Sequence, residues 1–267
     1  MSIRTLLTAL AAATTLLFPL ILAEERQKCG EASYFPSEQT CYNDKTLCPK
    51  QYSLPSRPCA GSGGCYLPQE YTCGDDGILR DLPDATGPFT LAVWGERFAY
   101  RNQTIKACGG YLAIGANARQ CHACTAAGGT NCGSYKNATV FLPDGKMNAA
   151  VPGHQYWFVD PSTGLLQYTE ALPRNASIGW NTTVPSQEFA GLNVKVKQNG
   201  LFIWDKEGSS YTNHWWFACL VTLPGGAVST ARSWRIYAPI ISELNGCELV
   251  RIVATAVDKS YGVYKYS

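Results

Sequence analysis

Cys121-His122-Ala123-Cys124 has the form of a thiol oxidoreductase motif, with two thiols flanking a titratable ring. A redox-active pair of this kind needs a helix N-terminus to depress a thiol pKa, and the residues that follow, Thr125 to Thr130, make a glycine-containing loop sequence instead. With Cys108 and Cys132 nearby, the four cysteines read as two structural disulfides, and neither a metal site nor a cofactor is expected. The three histidines, His122, His154 and His214, are not accompanied by a Gly-x-Ser-x-Gly elbow, so nothing supports a Ser/His/Asp triad. A glycosidase needs only two carboxylates at the right separation, but Asp160, Glu170, Asp205 and Glu207 stand in turn-like or polar contexts that do not mark any two as a pair. The expectation is a protein without catalysis.

Aromatic and acidic residues are arranged more tellingly. Tyr34-Phe35-Pro36-Ser37-Glu38-Gln39-Thr40-Cys41 aligns with Tyr66-Leu67-Pro68-Gln69-Glu70-Tyr71-Thr72-Cys73 at a constant offset of 32 residues, and the match extends to Asp44 over Asp76 and Leu47 over Leu79. A fixed offset in so short a stretch points to one duplicated supersecondary unit. Exposed tyrosines on a rigid frame suit sugar rings, whose apolar faces pack on aromatic faces while their hydroxyls take a few polar partners. A module of this size has little core in which to hide Tyr34, Tyr42, Tyr66 and Tyr71. Glu38 and Glu70, at equivalent places in the two repeats, are candidate acceptors for sugar hydroxyls. Trp94, Trp157, Trp204, Trp216 and Trp234 instead fall inside strand patterns further along, where they are expected to form core.

These residues must be positioned by a frame, and the bulk properties limit which. The chain has 267 residues, 46% of them hydrophobic, with a formal net charge of +2 and no long run of like charge. That is enough to bury a real core, and it supplies no field for nucleic acid or an anionic membrane surface. Residues 1–23, with Arg4 followed by the apolar run Leu6 to Leu22 and then Ala23, have the profile of a secretory signal peptide. Cleavage there leaves no membrane association and places the protein outside the cell or in a cell wall. The even number of 12 cysteines then reads as a disulfide framework. Six of them, Cys29, Cys41, Cys48, Cys59, Cys65 and Cys73, precede the Gly-, Pro- and Asp-rich stretch 75–88, and Cys108, Cys121, Cys124, Cys132, Cys219 and Cys247 follow it. Each set can close its own bridges, with the pairing open. Sequons at Asn102, Asn137, Asn175 and Asn181 agree with this compartment.

The expected organisation is a signal peptide (1–23), a disulfide-rich module (24–74), a linker (75–88) and an all-β domain (89–267). From Phe89 onward, short apolar runs alternate with turn residues and no helical period is sustained. Strands are expected at Phe89 to Trp94, Tyr111 to Ile114, Gln155 to Val159, Leu165 to Thr169, Trp215 to Val221, Trp234 to Ala238 and Leu249 to Val257. Leu192, Val194 and Val196 alternate with polar residues and lead through Gln198-Asn199-Gly200 into Leu201 to Trp204, a hairpin whose Asn-Gly supplies positive φ angles. The fold class is mainly β, a small disulfide-rich module followed by a sandwich- or barrel-like domain.

Cys29-Gly30-Glu31-Ala32-Ser33-Tyr34-Phe35-Pro36, Thr40-Cys41-Tyr42, Leu47-Cys48-Pro49 and Cys65 to Cys73 closely resemble carbohydrate-binding module family 52, found in fungal endo-β-1,3-glucanases and secreted cell-wall proteins. Two departures stand out. Gln39 occupies a position usually aromatic, as Tyr71 is in the second repeat, and Ala60 to Gly64 lengthens the usual Cys-Gly-x-x-Cys segment. Further on, Val151 to Tyr156, Val159-Asp160 with Gly164 to Thr169, Trp216 to Cys219 and Trp234 to Ala238 resemble the fungal cell-wall group that includes phialide-associated proteins and IgE-binding antigens; His154 replaces a usual Gly. The resemblance implies a secreted fungal protein that binds cell-wall β-1,3-glucan through the second repeat around Tyr66 and Tyr71, with no glucanase catalytic domain beside it. A glycan-active enzyme, or a wall or effector protein whose β-domain meets a protein partner, are the alternatives.

Overall fold

The computed structural model describes residues 24–51, 53–95, 102–115, 122–123, 139–149, 155–160, 162–169, 194–204, 214–221, 233–239, 245–258 and 265–266. The expected signal peptide, Cys121, Cys124, Cys132, Asn137, Asn175, Asn181, His154, Glu170, Asp205 and Glu207 lie outside these residues. Among the described residues all regular structure is β, and no helix is long and apolar enough to cross a membrane.

The N-terminal part strings together β1 (Gln27–Cys29), β2 (Ala32–Tyr34), β3 (Gln39–Tyr42), β4 (Thr46–Gln51), β5 (Leu54–Pro55), β6 (Arg57–Pro58), β7 (Cys65–Tyr66), β8 (Tyr71–Cys73) and β9 (Leu79–Asp81). The offset seen in the sequence is an offset of backbone pairing. In β3–β4, Gln39, Thr40 and Cys41 face Pro49, Cys48 and Leu47; in β8–β9, Tyr71, Thr72 and Cys73 face Asp81, Arg80 and Leu79, in the same register 32 residues on. The turn before each hairpin repeats too. The Phe35 carbonyl accepts from the amides of Glu38 and Gln39, and the Leu67 carbonyl from those of Glu70 and Tyr71, all at 3.0 Å. Upstream, β1–β2 sets Tyr34 opposite Gln27 and β6–β7 sets Tyr66 opposite Arg57, so the tyrosines remain 32 apart while their partners are 30 apart. The longer loop after Cys59 absorbs the two extra residues. Leu79 to Asp81, inside the stretch expected to be linker, is thus the closing strand of the second repeat.

Disulfides hold this unit where apolar burial is scarce. Cys29 pairs with Cys41 and Cys59 with Cys73, each closing its own repeat, while Cys48 pairs with Cys65 and ties β4 of the first repeat to β7 of the second. The six cysteines therefore close among themselves, in a pairing that spacing had left open. Leu54 and Leu67 are the fully buried aliphatic side chains here, too few to stabilise the fold alone.

The larger part contains β10 (Phe89–Trp94), β11 (Gln103–Thr104), β12 (Lys106–Cys108), β13 (Tyr111–Ile114), β14 (His122–Ala123), β15 (Trp157–Val159), β16 (Leu166–Tyr168), β17 (Val194–Val196), β18 (Phe202–Trp204), β19 (Trp216–Val221), β20 (Ser233–Tyr237), β21 (Cys247–Ala256) and β22 (Lys265–Tyr266). Nine of these form one antiparallel sheet in the order β11-β10-β21-β19-β20-β13-β16-β15, with β12 added on β13. Alternation decides which face is buried: Phe89, Leu91 and Val93 of β10 and Val250, Ile252 and Ala254 of β21 all enter the core. There Phe89 stacks on Phe141, and Phe141, Trp157, Phe202 and Trp216 continue as a chain of ring contacts 5.0–6.4 Å apart. The buried indole of Trp157 donates to the Leu142 carbonyl and that of Trp216 to Phe202. Trp157 and Trp216 are core as expected, Trp234 is partly buried and packs against that core, and Trp94 is half-buried; the Trp204 side chain lies outside the described residues.

The β17–β18 hairpin forms at the expected Gln198-Asn199-Gly200 turn, but its glycine serves another purpose. Asn199 alone takes a positive φ, 52°, while a Cβ on Gly200 would lie 2.6 Å from the Gln69 carbonyl oxygen and from Leu82. Gly200 is where the N-terminal module presses on the sheet. Cys219 and Cys247 join β19 to β21. Asn102 is exposed, also with positive φ.

Because Cys48–Cys65 closes a separation of 17 residues across the two repeats, the double substitution Cys48→Ser, Cys65→Ser is expected to cost about 3 kcal/mol. Urea unfolding of the oxidised protein, followed by tyrosine and tryptophan fluorescence, measures the loss.

Candidate functional site

The second repeat presents the most open surface of the module. Direct cross-strand partners share a face of a hairpin, so the Tyr71–Asp81 and Cys73–Leu79 pairs place Tyr71, Leu79 and Asp81 together, with Thr72 and Arg80 on the reverse side. Tyr71 and Leu79 are 37% and 42% exposed, and Ile78, next to Leu79, is more open still. Large apolar side chains left in water on a disulfide-bound frame need a reason. One aromatic ring, a neighbouring aliphatic side chain and a carboxylate make a surface that takes an apolar ring face on one side and hydroxyls on the other.

The turn behind this surface is braced from below. Arg80 donates to the Asp76 carboxylate through both terminal nitrogens, and Asp76 also accepts from the Ile78 amide. Hydrogen bonding to Arg80, then to the Ile78 backbone, holds the Asp76 carboxyl below its usual value. The Arg80 guanidinium and the Asp76 carboxylate lie over Gly74, which stands where the first repeat has Tyr42. Ile78, Leu79 and Asp81 fall in the stretch 75–88 that composition marks as linker, outside the site residues expected from sequence. The Leu47–Leu79 match at the repeat offset was the available signal.

The other expected site residues are dispersed. Tyr66 is half-buried in β7 across from Arg57, and Tyr34 occupies the equivalent place across from Gln27, with its hydroxyl 3.1 Å from the Gln27 Oε1. Tyr42 is half-buried and donates to the Ser56 carbonyl at 2.8 Å, a contact internal to the module. Glu38 is exposed, and its carbonyl accepts from the Lys50 amide.

Glu70 has a different environment from Glu38 despite the shared register. Its Oε1 accepts from Arg251 Nη1 at 2.6 Å and lies 3.1 Å from His214 Nδ1, both in the large sheet region. Neighbouring backbone joins the same contact: Leu201 donates to Gln69, Gln198 to Pro83 and Ala85 to Val196, and Lys197 pairs with Asp84 at 2.8 Å. Glu70 thus fixes the second repeat against the β-domain. Burial raises its pKa, but the hydrogen bond with His214 and the charge and hydrogen bond of Arg251 outweigh this, leaving it below the ordinary 4.5. His214 is therefore engaged at this contact. Asp160, one of the carboxylates considered for catalysis, braces its own turn by accepting from Ser162 and Thr163. The Ser162 hydrogen bond, against a smaller effect of burial, holds its carboxyl low. Among the described residues no cluster of His, Cys, Asp and Glu has metal-site geometry.

A family model described as carbohydrate binding matches residues 28–78, from β1 to the turn before β9. No curated protein and no solved structure matches the chain. The N-terminal part is thus a carbohydrate-binding module.

A depressed carboxylate contributes stability that is complete above its unfolded pKa and is lost as pH falls through the folded value. Glu70→Gln should therefore cost about 2–3 kcal/mol at neutral pH, since it takes from the buried guanidinium of Arg251 the charged acceptor 2.6 Å away, and much less in acid. Urea titrations of both proteins above and below the carboxylate range measure this; an equal cost at both pH values would remove Glu70 as the anchor.

Proposed function

We propose that the protein is a secreted fungal carbohydrate-binding protein without catalysis, which holds cell-wall β-1,3-glucan through its N-terminal module. The observation that carries this reading is the carbohydrate-binding match over residues 28–78, which contains Tyr71 and Ile78 and ends just before the strand whose Leu79 and Asp81 share the exposed face of Tyr71. The glucan specificity rests on the resemblance of the same residues to carbohydrate-binding module family 52. Of the two repeats, the second is the binding one. The first has Gln39 in place of Tyr71, and Pro49 in place of Asp81, so it lacks both the ring and the carboxylate. Tyr66 lies in β7 across from Arg57, outside this surface. Glu70 works behind it, as the fastening to the β-domain. The framework of disulfides and the sequons suit an extracellular setting, where an open, hydrogen-bonded frame must survive without a large core.

The test is retention of the whole chain on insoluble β-1,3-glucan, cellulose and chitin. Retention on the first above the other two is expected, and equal retention on all three would remove the glucan assignment. Tyr71→Ala should weaken binding about tenfold while leaving the oxidised fold intact, because it deletes the ring on which a sugar face packs. Incubation with soluble β-1,3-glucan should release no reducing ends; their appearance would replace binding by hydrolysis.

A further inference from the structure

At the middle of the large sheet, the side that faces away from the core carries rings and an aliphatic side chain where polar residues are usual. Ala218, Ile236 and Val250 enter the core, so their neighbours along the strands point the other way. On that outer side Leu249 of β21, Phe217 of β19 and Tyr237 of β20 lie in one transverse row, each directly opposite the next. Arg235, two residues before Tyr237 on the same side, sets its guanidinium 3.8 Å from the ring centre of Tyr111 on β13. Four adjacent strands thus contribute an aliphatic side chain, three rings and a cation to one surface. Leu249 is 53% exposed, and Phe217, Tyr237, Tyr111 and Arg235 are half-exposed. The usual outward face of an antiparallel sheet is polar, and a row of rings there needs an occupant.

The same surface continues into the contact with the module. Arg251 follows Leu249 at the next position on this side of β21, lies 5.1 Å from the Trp215 ring and carries Glu70, the residue next to Tyr71. Tyr71 thus stands one residue from a contact made on the same side of β21 as Leu249.

We propose that the outer face of the β-domain, Leu249, Phe217, Tyr237, Tyr111 and Arg235, is a second carbohydrate platform, which extends the module's site to receive one extended neutral glycan chain. The inference rests on the reading of the module as a β-1,3-glucan binder. Flat rings offer the apolar packing that a sugar face needs, while the tyrosine hydroxyls and the guanidinium edge offer partners to its hydroxyls. With strands about 4.8 Å apart, four of them span about 14 Å, room for more than one sugar ring. An uncharged ligand fits a surface where the Arg235 guanidinium already rests on a ring and Arg251 is already paired with Glu70. Linking two weak subsites on one rigid frame makes affinity grow with chain length.

The experiment measures binding of the intact chain to short and long β-1,3-glucan oligosaccharides by calorimetry. Wild type should bind the long one at least about tenfold more tightly, and Tyr111→Ala with Tyr237→Ala should abolish that gain while leaving the short one unchanged. Tyr71→Ala should weaken both. Leu249→Ala, at an exposed position that does not threaten folding, should reduce only the long-chain affinity, by a few-fold, and keeps the question answerable if the aromatic double variant is unstable. Unaltered long-chain binding in the Leu249 variant and in any folded aromatic variant overturns the platform, as does a loss of thermal stability without loss of the length gain, which would make the row structural. Failure of wild type to bind either oligosaccharide would instead overturn the reading of the module.

Discussion

Arg251 is a cation with 6% of its surface exposed, set on the outer side of a β-strand, and such a group is tolerated only with a carboxylate beside it. The chain supplies that carboxylate from 181 residues away, in the second repeat of the N-terminal module. This pairing constrains everything around it. Glu70 fixes the turn that leads into β8, the turn fixes where Tyr71 begins, and the same contact demands a residue without a side chain at Gly200. Because a lone buried guanidinium is costly, the module cannot leave this place without breaking more than a surface contact.

Duplication explains how so small a unit serves both tasks. Two copies of one hairpin, in identical register, give two equivalent glutamates and two equivalent strand starts. The first copy leaves Glu38 in water and has Gln39 after it; the second commits Glu70 to the neighbouring sheet and shows Tyr71 to solvent. Docking has broken the symmetry, so that one repeat supplies bulk and crosslinks while the other supplies contact with both the protein and its ligand. The bridge between Cys48 and Cys65 makes the two act as one body despite a core of little more than Leu54 and Leu67.

Much of this frame was legible in the sequence. An offset of 32 in residue type became an offset of 32 in hydrogen bonding, because cysteines and turn residues are what fix a hairpin's register. Alternation in β10 and the Asn199 turn were readable for the same local reason. What could not be read depends on residues far apart. Nothing near Arg251 or Glu70 in sequence marks either as the other's partner, and local turn propensity gives Gly200 a reason, positive φ, that the structure does not use. Disulfide pairing stayed open since even spacing permits several closures. The exposed face of β9 was missed where a composition of Gly, Pro and Asp, which serves linkers and tight turns alike, was assigned to the former.

The sheet order has a mechanical meaning. β10, which follows the module, pairs with β21, and the register sets Phe89 at the start of one against Ala256 at the end of the other. Tension applied between a glycan held by the module and whatever is attached beyond Ala256 would enter both strands at the same end and peel their hydrogen bonds apart singly, the weak way to load a sheet. The backbone bonds around Gly200 lie near that opening, and the Glu70–Arg251 pair ties down the far end, where Arg251 faces Trp94. They turn a seam that would unzip into one that must first be sheared.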